Sequence, residues 1–175
     1  MIETERLILR TWKESDILPF SAMNQDPQVM EFFPNTLTKE ETLALYERIT
    51  TDIKRRGFGL LAVEAKQNRD FAGFIGFDEP RFTSFFTPCI EIGWRLDKRF
   101  WNQGLATEGA RACLEYGFSS LGFKEVVSFT SAINTKSIAV MKKIGMTYDG
   151  DFEHPKVTEG HPLRRHVLYR ISPSS

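Results

Sequence analysis

Cysteine and histidine are scarce in this chain of 175 residues, which holds two cysteines, Cys89 and Cys113, and three histidines, His154, His161 and His166. The cysteines stand far apart and form no Cys-x-x-Cys pair. A disulfide scaffold is therefore not expected, and two scattered thiols suit a reducing cytoplasm. The histidines lack the His-Glu-x-x-His spacing of a zinc hydrolase, so no metal site is expected and they read as solvated or hydrogen-bonded loop residues. Net charge is also missing, with 23 basic residues against 23 acidic ones. That removes the bulk electrostatic reason to expect nucleic acid or an anionic membrane as partner. No apolar run approaches membrane-spanning length. Glu3, Glu5, Arg6, Arg10, Lys13, Glu14 and Asp16 break up any apolar signal core near the start. The expected location is the cytoplasm.

What is present is the composition of a globular protein: 41% hydrophobic, 13% aromatic and 26% charged residues. A chain this long buries roughly 70% of the surface its unfolded form exposes. Residues 1–175 read as one domain, as a monomer or a homodimer. Arg6–Arg10 reads as an opening strand, and Ser15 as the N-cap of a helix through about Asn24. Thr38-Lys39-Glu40-Glu41 is a capping box. The helix it opens should bury Leu43, Tyr46, Ile49 and Ile53 and stop near Gly57. Gly59–Ala65 and Phe71–Phe77 read as a hairpin, followed by a strand over Cys89–Leu96. A helix after Gly104 should bury Ala106, Ala110, Cys113, Leu114, Gly117 and Leu121. Val126–Thr130 is a strand, Asn134 or Thr135 opens a helix ending at Gly145, and Met146–Phe152 and His166–Ile171 close the chain. This order implies an α/β or α+β domain, a mixed sheet with helices on both faces.

Three glycine patterns compete as phosphate sites. Gly57-Phe58-Gly59-Leu60-Leu61-Ala62 fits the dinucleotide fingerprint in letters, but it follows a helix and enters a strand, the reverse of the required order. Gly104 and Gly109 have P-loop spacing, but Ala110-Arg111 replaces the Lys-Ser/Thr pair. The third pattern has the right context. A strand ending near Leu96 leads through a short loop into a helix starting near Gly104–Ala106. Unpaired amides and the positive dipole end at that terminus make a cradle for pyrophosphate without a lysine.

Trp101-Asn102-Gln103-Gly104-Leu105-Ala106, followed by Asn134-Thr135-Lys136-Ser137 and Lys142-Lys143-Ile144-Gly145-Met146, resembles the GNAT (Gcn5-related) N-acetyltransferase superfamily, in its RimJ/RimL-like branch. Glu5–Arg10, Gly73–Phe77, Glu91-Ile92-Gly93-Trp94 and Ala106-Thr107-Glu108 resemble the branch's successive elements, in order. The loop departs from the common Q/R-x-x-G-x-G/A pattern at Trp101 and Asn102. The resemblance implies a mixed, mostly antiparallel sheet splayed between its fourth and fifth strands, with acetyl-CoA in the opening. It implies a reaction in which a primary amine, at a protein N-terminus or on a small molecule, attacks the thioester directly within a ternary complex. It also implies contacts to acetyl-CoA from backbone groups of Trp94, Arg95 and Leu96, pairing with the pantetheine arm like an added strand. Amides of Gln103, Gly104, Leu105, Ala106 and Thr107 would hold the pyrophosphate, with Asn102 a further cofactor contact; Asn134 would hydrogen-bond the arm or the bound amine side, a plain helix cap being its alternative role, and Ser137 would lie near the thiol. Members that acetylate ribosomal proteins carry a glutamate between their last two strands, and Glu153-His154-Pro155-Lys156…Glu159 gives no clean match to it.

Two side chains are candidates for proton transfer. Ser137 matches a family serine that could protonate the leaving thiolate, and a helix cap is its alternative role. Strand alternation puts Cys89, Glu91, Gly93 and Arg95 on one face, with Gly93 leaving open space beside Glu91. Burial would raise the pKa of Glu91 toward that of a working base, whereas a basic neighbour would make it structural. Glu108 sits in a first helical turn, where it suits the dipole. Phe32-Phe33-Pro34 and Phe82–Pro88 could line an acceptor pocket or serve core packing and loop anchoring, and Arg164-Arg165-His166 could favour an acidic acceptor or the adenosine phosphate, or form a solvated strand entry. An acyl-CoA-binding module without catalysis has the same cradle and is the alternative function.

Overall fold

The computed structural model describes residues 1–174. Its strands are β1 (Ile2–Glu3), β2 (Leu7–Arg10), β3 (Leu60–Ala65), β4 (Phe71–Asp78), β5 (Glu91–Leu96), β6 (Val126–Ser131), β7 (Thr147–Glu153) and β8 (Arg165–Ile171). They form one sheet in the order β1-β2-β3-β4-β5-β6-β8-β7. Every neighbouring pair is antiparallel except β5 and β6. The helices are α1 (Ile17–Gln25), α2 (Lys39–Arg56), α3 (Leu105–Ser119) and α4 (Thr135–Lys143). The mixed sheet expected from the element order is present, and it is mostly antiparallel, as the resemblance implies. The short β1 shifts the count by one, so the expected splay falls between β5 and β6. No helix among the described residues is long and apolar enough to cross a membrane.

Strand alternation gives the sheet two buried faces. Ala62 and Phe74 point to one face, where Trp12, Phe20, Met23 and Ile49 cover them. Val63, Ile75 and Ile92 point to the other, against Leu105, Ala110, Cys113 and Leu114 of α3 and Met141 of α4. Each such large side chain contributes roughly 1.5–3 kcal/mol when fully buried. Small residues set how closely the layers approach. A Cβ on Gly109 of α3 would lie 2.5 Å from Ile75 Cδ1 on β4, and within the sheet one on Gly76 would lie 2.2 Å from the carbonyl oxygen of Gly59, just before β3.

Three local expectations need correction. Ser15 does not cap a helix. A 3₁₀ turn over Glu14–Asp16 precedes α1, and the buried Asp16 accepts from the Lys13 amide at 2.8 Å. Arg10 holds Asp16 through two bonds of 2.8 and 2.9 Å, which fixes the chain entry that a serine would otherwise have to set. On α2, Thr38 caps as expected, but Leu43 is 42% exposed, whereas Thr42 and Asp52 are buried with Ile49. The buried Asn24 donates to the Thr42 hydroxyl, a polar contact between α1 and α2 that turns Leu43 outward. On α3, Leu105 and Gly109 join the inner face, and Leu121 lies past the helix end.

The splay has a visible cause. β5 and β6 share one register pair, Glu91 opposite Val127, and the Val127 amide donates to Ile90 O at 2.9 Å. At the next position the Ser128 hydroxyl, not a backbone amide, reaches Ile92 O at 2.9 Å. A side chain inserted at the ladder holds the strands apart. Beyond it the β6-facing edge of β5 has no strand beside it.

Candidate functional site

The splay opens a cleft of about 700 Å³, bounded by β5, β6 and the N-termini of α3 and α4. Of the residues predicted for the site, Glu91, Trp94, Arg95, Leu96, Asn102, Gly104, Leu105, Ala106, Thr107, Asn134 and Ser137 all line it. Gln103 does not. Its carboxamide donates to Arg99 O at 3.0 Å and its carbonyl accepts from Arg6 Nη1 at 2.8 Å.

At the mouth, Gly104 is the N-cap of α3, with φ 75° and no side-chain capping bond. That left-handed conformation suits glycine. A Cβ there would meet only Arg6 Nη2, at 3.6 Å, so the space over the helix end is open. The amides of Leu105, Ala106 and Thr107 have no acceptor among the described residues. Three free N–H groups at the positive end of a 15-residue helix form an anion cradle. Arg6, which the sequence placed only in the opening strand, braces it by an ion pair to Glu108 at 3.2 Å. Lys136 adds a cation over the Trp101 ring, 4.7 Å from its centroid.

Deeper in the cleft, Asn134 is buried and caps α4. Its Oδ1 accepts from the Ser137 amide at 3.3 Å. Its Nδ2 donates to Thr130 Oγ1 at 2.9 Å and to Ser137 Oγ at 3.1 Å. Both amide hydrogens are thus engaged within the chain. The capping role is realised, and Asn134 has no free donor for a ligand. Ser137 Oγ is an acceptor in this arrangement, which leaves its own hydrogen free to be donated into the cleft.

The cleft face of β5 carries Glu91, Gly93 and Arg95. Glu91 has no hydrogen bond or ion pair among the described residues. Desolvation lifts its pKa well above the ordinary 4.5; Asp78, its register partner on β4, pushes the same way, and Arg48 opposes weakly. Asp78 itself is held by Arg48 at 3.2 Å and Arg56 at 3.5 Å. Arg95 lies over Phe33 and Phe74, 4.6 and 5.1 Å from their ring centroids. Desolvation lowers its pKa to about 10. By exposed area both side chains are only half-buried, because the cleft opens over them; the protein packed closely around them accounts for the desolvation.

The walls divide the aromatic expectation. Phe32, Phe33 and Pro34 line the cleft, but none of Phe82–Pro88 does. Phe82 and Phe86 pack behind it with Phe152, and only Phe129 of that cluster reaches the cleft. Arg164 pairs with Glu153 at 3.1 Å and Arg165 with Asp151 at 2.5 Å, so neither guanidinium is free for an acceptor. His154 and His161 are hydrogen-bonded loop residues as expected, accepting from the Lys156 and Leu163 amides at 3.1 and 3.0 Å, but His166 stands in β8. His154 and His166 both line the cleft with ring centroids 4.8 Å apart. Burial lowers His154 to about 4, with His166 adding to the effect, and burial also lowers His166. No spacing rule joins residues 154 and 166; pairing of β7 with β8 does.

A family model, the acetyltransferase (GNAT) domain, matches residues 6–147. The chain belongs to the GNAT acetyltransferase family. Among relatives of this GNAT domain, the Bacillus subtilis (strain 168) protein YkkB is 32% identical over 146 residues, spanning 83% of this chain and 84% of that protein. The N-acetyltransferase YnaD of the same organism is 29% identical, spanning 87% and 85%. Of solved structures, an acetyltransferase (GNAT family) from Bacillus anthracis is similar with TM-score 0.80 and 27% identity, over 98% of this chain and 97% of that one. RimL, the ribosomal L7/L12 acetyltransferase solved with coenzyme A, has TM-score 0.78 at 18% identity, over 97% and 95%, a likeness of fold alone. Acetyl transfer is therefore the chemistry of this family, and an acyltransferase is what its fold serves.

Proposed function

We propose that this GNAT domain transfers the acetyl group of acetyl-CoA to a primary amine, on a small molecule or a protein N-terminus, by direct attack within a ternary complex. The observation that carries the reading is one cleft with an anion cradle at its mouth and two uncommitted proton-handling groups, Glu91 and Ser137, inside. The cradle amides and Gly104 fit a pyrophosphate, and the free edge of β5 past Ile92 fits an amide-bearing arm laid down like a strand. Trp101 Nε1 already occupies the Leu96 carbonyl at 2.9 Å and the backbone of Arg95 is paired with Phe74 of β4, so Trp94 and the Leu96 amide are the remaining backbone partners on that stretch.

In the reaction, Glu91, directly or through a water, takes a proton from the incoming ammonium. The neutral amine adds to the thioester carbonyl, the C–S bond breaks, and the Ser137 hydroxyl protonates the departing thiolate while its oxygen takes up the second proton from the amine nitrogen, which leaves a neutral amide, a thiol and an unchanged serine. A backbone N–H on the unpaired edge of β5 suits the developing oxyanion. An Aspergillus fumigatus relative, FsC-acetyl coenzyme A-N(2)-transacetylase, supports donor and acceptor class alike. It is 30% identical over 72% of this chain but 56% of that protein. A solved spermidine N-acetyltransferase from Vibrio cholerae, bound to CoA and spermine, has the same fold at 17% identity. The RimJ/RimL likeness brings protein N-termini into the acceptor panel.

The test is a screen of small amines and peptide N-termini with acetyl-CoA, reading release of free thiol, alongside calorimetry of CoA binding. Turnover on at least one amine is expected. Tight CoA binding with no turnover on any amine would favour the non-catalytic acyl-CoA-binding module. Absence of CoA binding would refute the assignment of the cradle.

A further inference from the structure

Arg95 is a cation without a counter-ion. Of its five N–H donors, one on Nη1 reaches Asn24 Oδ1 at 2.9 Å. Nε is buried with no acceptor, and no carboxylate lies within ion-pair distance among the described residues. Nε and Nη2 form one edge of the planar guanidinium, the edge that meets a carboxylate through two parallel hydrogen bonds. Phe33 and Phe74 offset part of the charge through their ring faces. They offer no acceptor. A guanidinium does not shed its proton at neutral pH, so leaving it unpaired is costly unless something occupies that edge.

The side chain is also held in place. Asn24, fully buried, accepts from Nη1 while its own Nδ2 donates to Thr42 Oγ1 at 3.2 Å, which ties the guanidinium to α1 and α2. Glu91 lies on the same face of β5, four residues earlier, with Gly93 bare between them. Four residues of strand span about 13 Å between Cα atoms, but Glu91 Oε1 leans over Gly93, 4.0 Å from where a Cβ there would stand, which shortens the gap to Arg95. One strand face thus presents a free carboxylate, a gap and a free cation in line. Such a surface matches a molecule with an amine at one end and an anion near it, and it disfavours one with cationic groups throughout.

We infer that Arg95 selects the acceptor by binding a carboxylate carried close to the amine that is acetylated. This rests on the acetyl-transfer reading above. The carboxylate could belong to a free amino acid or to an acidic residue beside a peptide N-terminus, and the experiment separates these sources.

With acetyl-CoA saturating, kcat/KM is measured by thiol release for L-phenylalanine, L-phenylalaninamide and 2-phenylethylamine. A second arm uses hexapeptides that begin Ser-Asp or Ser-Asn, and spermidine is the polycationic control. In at least one arm the carboxylate should be preferred over its amide by about 10- to 100-fold, the range for a charge-assisted pair. The arm that shows the preference names the source. The amide has the more easily deprotonated amine, so a preference for the acid would not come from amine basicity. In Arg95→Met the ratio should fall close to one, and Arg95→Lys should retain part of it; a ratio cancels any common effect on CoA binding. Equal or better use of the amides in both arms, efficient use of spermidine, or an unchanged ratio in Arg95→Met would overturn the inference. If Arg95→Met does not fold, the wild-type ratio and the lysine variant decide. If no amine is acetylated, the transfer reading fails separately. Calorimetry of the same acid and amide probes on the CoA-bound protein then decides the anion site: acid binding weakened in the lysine variant sustains it, and no preference for the acid overturns it.

Discussion

Replacing Glu91 by glutamine should make the protein more stable and the enzyme slower, and both effects follow from one environment. The Glu91 carboxyl lies opposite Asp78 across β4 and β5, has no ion pair, and is desolvated by its surroundings. Its folded pKa therefore stands above the ordinary 4.5. Between those two values the folded state binds more protons than the unfolded state. Stability from this group therefore falls as pH rises through that window, and above it the loss is constant. Below pH 4.5 the effect vanishes, because the group is protonated in both states. Glutamine keeps the shape and never ionises. At pH 8 Glu91→Gln should melt above wild type, and near pH 4 the two should coincide. Each kcal/mol regained moves the midpoint by about 2–4 °C for a chain of this size. Turnover should fall about 10²–10⁴-fold if Glu91 is the base, and the acid limb of the pH–rate profile should flatten. Scanning calorimetry at the two pH values and thiol-release kinetics across pH read both. A variant that melts below wild type at pH 8 would mean that Glu91 is paired in solution. Unchanged turnover on a confirmed acceptor would remove it from proton transfer and leave orientation of the amine to explain the rate.

Other outcomes follow from the same geometry. Ser137→Ala should lower kcat by about 10²–10⁴-fold with little change in CoA affinity by calorimetry, the pattern of a lost transition-state contact; an equal loss in both would point to binding instead. Gly104→Ala forces φ 75° on a residue with a Cβ, costing about 1–2 kcal/mol, and Gly104→Val adds bulk over the free amides. CoA affinity should fall in the order Gly, Ala, Val, and unchanged affinity in a folded Val variant would rule out the cradle. Gly76→Ala, far from chemistry, should cost about 1–3 kcal/mol or more in urea unfolding because its Cβ meets the Gly59 backbone at 2.2 Å, and a neutral result would mean that β3 shifts freely.

Local signals carried much of the architecture. The capping box at Thr38, the glycine stops and the alternation along β5 are properties of neighbours in sequence, so they could be read directly. The face carrying Glu91, Gly93 and Arg95 follows from period-two alternation alone. Failures came where a distant polar partner decides. Asp16 outranks Ser15 because Arg10 reaches it, and Leu43 turns out because Asn24 meets Thr42. The convergence of His154 with His166 depends on the register of β7 and β8, which no local pattern encodes. Arg95 sat in the predicted site for its backbone, but its missing counter-ion is a three-dimensional fact. Nothing in Trp-Arg-Leu shows that every carboxylate will be elsewhere.

The two unpaired charges on β5 also bear on why this strand tolerates them. Consistent local and global choices give a stable fold, and departures concentrate where function needs them. The opposite face of β5 is conventional: Ile92 is fully buried and Leu96 nearly so, both within the larger core cluster. Six register pairs bind β5 to β4 along its length. The strand is therefore held by one edge and one face. Its second edge is released by the Ser128 hydroxyl, and its second face is left to Glu91 and Arg95. A carboxylate needs poor solvation to be a strong base, and a guanidinium needs an empty edge to bind an anion. Either would be neutralised if β6 paired along the whole of β5 and brought ordinary neighbours with it. On the proposed reading the splay would do more than admit a thioester: it leaves Glu91 and Arg95 without neutralising neighbours, at a stability cost that removing the Glu91 charge should recover.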